Sequence, residues 1–363
     1  MKITSLTLTT FRNYRRQTVR FCDGLNVIEG LNTAGKTNLV EAVYLCSVGK
    51  SPRGAKDKDL IQIGQDSAHV TLEVAKKHRT HRIDLHLTKD GEKRILLDGV
   101  RLSRTGDLMG VLNVVFFSPD ELRIVKQDPS ERRRFINITL CQQNKPYYEA
   151  LSRYNHIIDQ RNRLLKEARD VASLDAQLAV WDEQLATWGS KIIRWRQDFI
   201  AHLGALADSI HRAIAGERCD LTLRYESCTE AVEDEAIRKD ILSALADSRE
   251  KEMRLRYTTV GPHRDDFSIV SEEKELRTLG SQGQQRTAAL SLKLACIAYF
   301  ERNTGERPVL LLDDVLSELD GGRRQALLAA TDGVQTLLTC TEFTEDEIYV
   351  GQRLHVKSGT VEQ

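Results

Sequence analysis

The chain has 363 residues, 53 Lys and Arg against 53 Asp and Glu, and 40% hydrophobic residues, enough for a sizeable core in one large or two intermingled domains. A formal net charge of zero excludes a uniformly basic surface, so any nucleic-acid contact must be local and offset by acid elsewhere. Seven cysteines without a Cys-x-x-Cys pair argue against a zinc knuckle or disulfide frame and for a reduced, cytosolic setting, and neither a leader-type apolar run nor a membrane-length apolar segment is present.

From Lys2 to about Asp98 the pattern is strand-like, apart from one helix. The apolar stretch Leu25 to Ile28 runs into Gly30-Leu31-Asn32-Thr33-Ala34-Gly35-Lys36-Thr37, which fits G-x-x-x-x-G-K-[ST]. Asn38 follows, then a helical pattern with Leu39, Val43 and Cys46 on one face. In that setting Gly30 and Gly35 let backbone N–H groups turn toward a β-phosphate, Lys36 bridges the β- and γ-phosphates, and the Thr37 hydroxyl completes a Mg²⁺ shell. The nucleotide contacts expected on this basis run from Gly30 to Asn38. Further on, apolar and polar residues alternate on both sides of Asp90-Gly91, which predicts a hairpin. "VLNVVFFSPDEL" predicts a short buried strand ending in a Ser-Pro-Asp turn where a helix can start.

From about Pro119 to Glu252 the apolar residues adopt helical spacing. Trp181, Leu185, Trp188, Ile192, Trp195, Phe199, Leu203, Leu206 and Ile210 predict one face of a long amphipathic helix, with the tryptophans in the core. Strand and helix then alternate again. Ser281, Gly283 and Gln284 stand just before an apolar-periodic helix, where a hydroxyl, free N–H groups and the positive dipole end make either an anion site or an ordinary N-cap. "RPVLLLDDVLSELD" reads as a parallel strand buried on both faces. Asp313 at its end is the expected second Mg²⁺ anchor opposite Thr37, and Asp314 is placed to polarise an attacking water, giving slow hydrolysis. "VQTLLTCTE" predicts a further strand.

The glycine loop, the Ser-x-Gly-Gln turn, the Asp pair and the "SELD" of Ser317 to Asp320 come in the order found in ABC-type ATPases. That resemblance implies that Ser281, Gly283 and Gln284 of one subunit close on the γ-phosphate held by the loop of another, so that ATP makes a homodimer. More narrowly, "FRNY" at Phe11 to Tyr14, "FFSPDELRIVKQDPSERRRFIN" at Phe116 to Asn137, "QRNRLLK" at Gln160 to Lys166, "GPHRDD" at Gly261 to Asp266 and "SQGQQR" together resemble the RecF family. These are bacterial recombination-mediator ATPases related to the SMC-type repair ATPases. The resemblance implies an α/β fold: an ABC-type P-loop ATPase head, mixed β with a parallel core sheet, plus a helical second lobe and no coiled-coil arm. It also implies ATP-dependent dimerisation on double-stranded DNA, weak DNA-stimulated hydrolysis, and action with RecR and RecO to load RecA at gaps. The expected division puts 1–117 and 256–363 in the ATPase lobe and 118–255 in the helical lobe, with the turn at 281–286 on the boundary. Thr33 departs from the family by standing at its second loop glycine, where a Cβ disfavours positive φ. Thr339 and Thr341 stand where transporter-type relatives carry a His.

Basic clusters exist despite the zero total. Arg15 and Arg16 lie in an acid-free run from Arg12 to Arg20, Lys56 in the loop after the first helix, Lys76, Lys77 and Arg79 in "KKHRTHR", and Arg132 and Arg133 in a run of three arginines. These are the candidates for phosphate-backbone contacts, and without an aromatic stacking platform they favour duplex over single strands. The competing readings are the nucleotide-binding subunit of an ABC transporter and a P-loop kinase or GTPase. The long helical insert and the missing His weaken the first. The Ser281 turn opposes the second, and "NKPY" at Asn144 fails the guanine-specific N-K-x-D pattern at its last residue.

Overall fold

The computed structural model describes residues 1–120, 124–167, 171–343 and 350–362, with the backbone alone for 171–174. Strands β1 (Lys2–Phe11) and β2 (Tyr14–Arg20) form an opening hairpin. β3 (Leu25–Glu29) then leads through the glycine loop into α1 (Lys36–Val48). β4 (Ser67–Ala75), β5 (Thr80–Thr88), β6 (Lys93–Leu97) and β7 (Val100–Arg101) extend the hairpin into an antiparallel sheet of order β2-β1-β4-β5-β6-β7. Alternation buries Val70, Leu72 and Val74 on β4 and Ile83, Leu85 and Leu87 on β5, leaving His69, Asp84 and His86 on the outer face. The β5–β6 turn closes at Gly91, whose N–H donates to Thr88, where the Asp90-Gly91 signal placed it.

β8 (Val114–Phe117) is followed by α2 (Pro129–Cys141), α3 (Lys145–Glu167) and the long α4 (Val171–Ala215). The helix start expected after the Ser-Pro-Asp turn falls on 121–123, outside the described residues; α2 instead begins at Asp128 with Pro129 in its first position. On α4 the expected stripe is the core face: Leu185, Ile192, Phe199 and Leu203 are fully buried, and Trp181, Trp188 and Trp195 pack half-buried against them. β9 (Thr222–Glu226), α5 (Asp234–Asp247) and α6 (Arg249–Leu255) complete this segment.

β10 (Asp266–Ser271) and β11 (Lys274–Glu275) come next and pair with β9 in an antiparallel sheet of order β11-β10-β9. The stretch 118–255 is therefore not purely helical, and its one described strand is completed from beyond residue 255. β9 is short but alternates Leu223 and Tyr225 with polar residues, and as the edge strand it pairs along one side with β10, a partner distant in sequence.

The chain continues with α7 (Leu276–Leu279), α8 (Gln282–Thr304), β12 (Val309–Asp313), α9 (Gly321–Ala329), β13 (Thr336–Cys340), β14 (Gln352–Lys357) and β15 (Thr360–Glu362). The third sheet, six-stranded, runs β15-β14-β3-β13-β12-β8, parallel throughout except for the β14–β15 hairpin. Every residue of β3, β12 and β13 is buried. Along β12, Val309 and Leu311 face the core shared with α1 and the antiparallel sheet, while Leu310 and Leu312 face the core shared with α8 and the helical lobe. A strand serving two cores needs apolar side chains at both parities, hence the unbroken run Val309 to Leu312. Among the described residues all seven cysteines are unpaired, and no helix is long and apolar enough to cross a membrane.

Candidate active site

After β3 the backbone turns at Gly30 (φ 155), Thr33 (φ 71) and Gly35 (φ 119). A Cβ at Gly30 would strike the carbonyl of Val356 in β14, and one at Gly35 would lie 2.6 Å from Asn13 Nδ2. Both glycines are thus demanded by close approach as well as by φ. Thr33, exposed at the loop's crest, takes the left-handed conformation with its Cβ in place, at a strain of about 1–2 kcal/mol.

The "FRNY" segment clamps this loop. Asn13 Nδ2 donates to the Ala34 carbonyl (2.8 Å), and Asn13 Oδ1 accepts from Asn38 Nδ2 (2.8 Å). The Tyr14 hydroxyl donates to the Gly35 carbonyl (3.0 Å), and burial pushes its pKa up, so the proton stays in that bond. Arg12 forks onto the fully buried Glu41 of α1 at 2.8 and 2.9 Å. From the far end of the chain, the Gly359 N–H between β14 and β15 donates to the Ala34 carbonyl (3.0 Å). Phe11 and Tyr14 are completely buried, so neither ring is open to a purine.

Lys36 opens α1 with its Nζ donating to the carbonyls of Gly30 (2.6 Å) and Leu31 (3.0 Å). Thr37 Oγ1 donates to Asp313 Oδ1 at 2.8 Å, joining the ends of β3 and β12. Because β13 lies between these strands, Thr339 at its end reaches both aspartates: its hydroxyl donates to Asp313 Oδ1 (2.9 Å) and accepts from the Asp314 N–H (3.0 Å). Arg53, beyond α1, brings its guanidinium to 3.6 Å from Asp313 Oδ2. Asp313 is buried, whereas Asp314 is open to solvent at a left-handed turn (φ 52). The Asp314 carboxyl is pushed above its ordinary range, first by partial burial and then by Asp313 and Glu318, with Lys36 opposing. A carboxylate made more basic in this way suits a group that accepts a proton from water.

Thr37 and Asp313 form an all-oxygen donor pair of the kind Mg²⁺ takes. Among the described residues no group of three or more His, Cys, Asp or Glu side chains could hold a metal alone. An ion here would therefore be shared with nucleotide phosphates and water, the usual manner of Mg²⁺.

Ser281 is the N-cap of α8. Its Oγ accepts from the Gln284 N–H (3.2 Å), and Gln284 Oε1 accepts from the Ser281 N–H (2.9 Å), a reciprocal capping box. Ser281 and Gln284 are exposed. Behind them Arg323 of α9 donates to the Gly283 carbonyl (2.9 Å) and to Thr287 Oγ1 (2.6 Å), while Arg286 donates to Glu318 O (2.9 Å) and Oε2 (2.8 Å). The turn, the Ser317–Asp320 segment and α9 are thus tied into one unit. Sequence reasoning had singled out neither arginine, nor the clamp made by Asn13 and Tyr14, since their partners are far away in the chain.

The candidate DNA contacts fare unequally. Arg132 must be withdrawn: it is 2% exposed and forks onto Asp266 at 2.7 Å through both Nε and Nη2. Arg133 is half-buried and donates to the Asp265 carbonyl. Lys76 donates to the Gly110 carbonyl and Arg79 pairs with Asp98, whereas Arg15, Arg16, Lys56 and Lys77 are exposed. Strand register separates them. Arg16 lies beside Thr9 and the Lys76–Arg79 turn lies beside Lys2, so they sit at opposite ends of β1, roughly 20 Å apart.

Comparison with known proteins agrees with this architecture. The RecF/RecN/SMC N-terminal domain family matches residues 2–342. The DNA replication and repair protein RecF of Agathobacter rectalis is 44% identical over 100% of this chain and 99% of its own length. Its counterpart in Lachnoclostridium phytofermentans is 42% identical over the whole of both chains. A solved structure of the recombination mediator protein RecF with an ATP analogue superposes with a TM-score of 0.92 at 33% identity, covering 99% of this chain and 97% of the other. An SMC head bound to a ScpA domain, at 15% identity and a TM-score of 0.59, shares the fold. Likeness of this extent through every element that shapes the site means that the chain belongs to the RecF family and is an ABC-type ATPase.

Proposed function

We propose that this ATPase is a switch that closes as an ATP-bound homodimer on double-stranded DNA during recombinational repair. One observation carries the reading. The Ser281–Gln284 turn is capped, exposed and braced from behind by Arg286 and Arg323, so it is a rigid helix N-terminus presented outward, which supports a role in taking an anion from another subunit. In the dimer it closes on the γ-phosphate held by Lys36 of the other subunit. The contacting set is Gly30 to Asn38 from one chain and Ser281, Gly283 and Gln284 from its partner. Mg²⁺ would be held by Thr37 and Asp313 and would neutralise phosphate charge. Asp313 is oriented for this by Thr339, and Asp314 takes the proton of the attacking water, reopening the dimer after slow hydrolysis.

The relatives support the setting: two are named DNA replication and repair proteins, and the solved ATP-bound RecF is described as a recombination mediator in the RecFOR pathway. Action with RecR and RecO to load RecA at gapped DNA, in the cytoplasm on the nucleoid, follows as part of this proposal. The exposed Arg15, Arg16, Lys56 and Lys77 are the residues favoured for phosphate contact.

Mass in solution with ADP, with ATP, and with ATP plus duplex DNA tests it. A dimer is expected only with ATP, and Ser281→Arg should keep ATP binding yet stay monomeric. Normal ATP-dependent dimers of Ser281→Arg would sink the proposal.

A further inference from the structure

Between α2, α3, α4 and the Pro262-His263 turn lies a cavity of about 320 Å³, remote in sequence from the phosphate loop. Arg133, Arg134, Arg196 and His263 line it together with Ser130, Asn137 and Asn155, and no Asp or Glu does. The charge balance around it is uneven. Arg132, Arg133, Arg196 and Arg264 converge on a neighbourhood whose carboxylates are Asp265 and Asp266. Asp266 is taken up by its fork with Arg132. Asp265 is turned to the Tyr225 hydroxyl at 2.6 Å. The Glu131 carboxylate pairs with Arg134 (3.3 Å).

Arg196 is 1% exposed and rigidly held, donating to Tyr147 Oη, Asn137 Oδ1 and the Pro262 carbonyl. Arg133 is different. Among the described residues its one hydrogen bond is from Nη1 to the Asp265 carbonyl, which leaves the remaining donors of a half-buried guanidinium free at the cavity wall. Burial and the like charges of Arg196 and Arg264 depress its pKa, the mark of a cation short of a counter-charge. His263 adds no charge: its ring nitrogens are engaged by the Tyr154 hydroxyl and the Thr258 carbonyl, and burial keeps it neutral at pH 7.

We propose that this cavity is a phosphate-binding site, with Arg133 as the principal ligand, Arg196 as a fixed background charge and Asn137, Asn155 and Ser130 as neutral donors. The phosphate is either that of a small phosphorylated molecule or a phosphodiester of a nucleic-acid backbone. A planar guanidinium with free donors facing a concave, acid-free wall matches the fork geometry of a phosphate oxyanion. The site operates whether or not the chain dimerises.

The test uses the full chain with its phosphate loop saturated by ADP, titrated calorimetrically with inorganic pyrophosphate and, separately, with a short DNA duplex. Arg133→Gln removes the ligand. Asn155→Asp plants a carboxylate at the rim, and Asn155 is exposed with no hydrogen bond among the described residues, so its thermal midpoint should match the parent. Pyrophosphate should bind the parent, and each variant should weaken it by about tenfold. Duplex affinity falling in parallel identifies the backbone as the source; duplex affinity unchanged identifies a small phosphorylated ligand. No pyrophosphate binding outside the phosphate loop, or binding indifferent to Asn155→Asp in a folded protein, overturns the proposal.

Discussion

Replacing Thr33 by glycine separates two origins of strain in the phosphate loop. Thr33 sits at φ 71, where an L-residue is disfavoured by about 1–2 kcal/mol, the upper end applying to a β-branched side chain. The conformation is imposed by the chain itself. The neighbouring Ala34 carbonyl is gripped by Asn13 Nδ2 and the Gly359 N–H, and the Ala34 N–H donates to Leu31. The strain is therefore incurred on folding, not on binding. Glycine relieves it but adds about 0.5–1 kcal/mol of unfolded-state entropy, so from the upper end of that strain the net gain is about 1–1.5 kcal/mol. Thermal unfolding should accordingly shift upward by about 1–2 °C. ATP affinity, followed by fluorescence titration, should stay within about twofold of the parent. Were the strain imposed by the nucleotide, Thr33→Gly would instead tighten ATP by about 5- to 30-fold and leave the unfolding midpoint unmoved; that pair of results would refute the reasoning.

Three further outcomes are expected. Arg161 is fully buried between Asp182 and Glu252, at 2.7 Å from each; Asp182 keeps Arg249, so Arg161→Met leaves the buried Glu252 without a cation and should cost about 3–5 kcal/mol in urea unfolding. Adding Glu252→Gln to that variant should recover part of the loss, and no recovery would discredit the charge argument. The pH dependence of stability hides two opposing groups, Asp265 and His263, two residues apart in the chain. Burial raises Asp265 from 3.8 to about 6, so its contribution is fully present below pH 3.8 and lost as pH rises through 6. Burial lowers His263 from 6.5 to about 4, so its contribution is present above pH 6.5 and lost as pH falls through 4. Each amounts to roughly 3 kcal/mol, and they offset between pH 4 and 6. Asp265→Asn should steepen the acid-side loss of stability and His263→Gln should flatten or reverse it; parallel curves for the two variants would contradict the assignment.

Much of the candidate site's local geometry was legible because its signals are local. A glycine loop between a strand and a helix, a buried apolar run ending in Asp313-Asp314, and a Ser-x-Gly-Gln turn each occupy a short window. What escaped was tertiary. Three arginines in a row on a helix point about 100° apart, so Arg132, Arg133 and Arg134 were bound to meet different surroundings. Nothing in the run itself says that Arg132 faces Asp266 in the core. β9 did carry a signal, Leu223 and Tyr225 alternating with polar residues, but five residues amid helical spacing are too short a window to outweigh it, and the partner strand lies beyond the helices. The roles of Arg12, Asn13 and Tyr14 needed the fold, which alone brings "FRNY" against the phosphate loop, and "QRNRLLK" likewise proved structural, through Arg161 and the bond that Asn162 Oδ1 accepts from the Thr258 N–H.

The grip of the β14–β15 hairpin on the loop has a consequence for biosynthesis. The Val356 carbonyl occupies the space that a side chain at Gly30 would need, and Gly359 bonds to Ala34. The loop residues are translated long before residues 356–359, so on the ribosome the loop first exists with the Asn13 and Tyr14 contacts but without the Gly359 bond. A product truncated before residue 356 would therefore carry the phosphate loop without the hairpin that braces it.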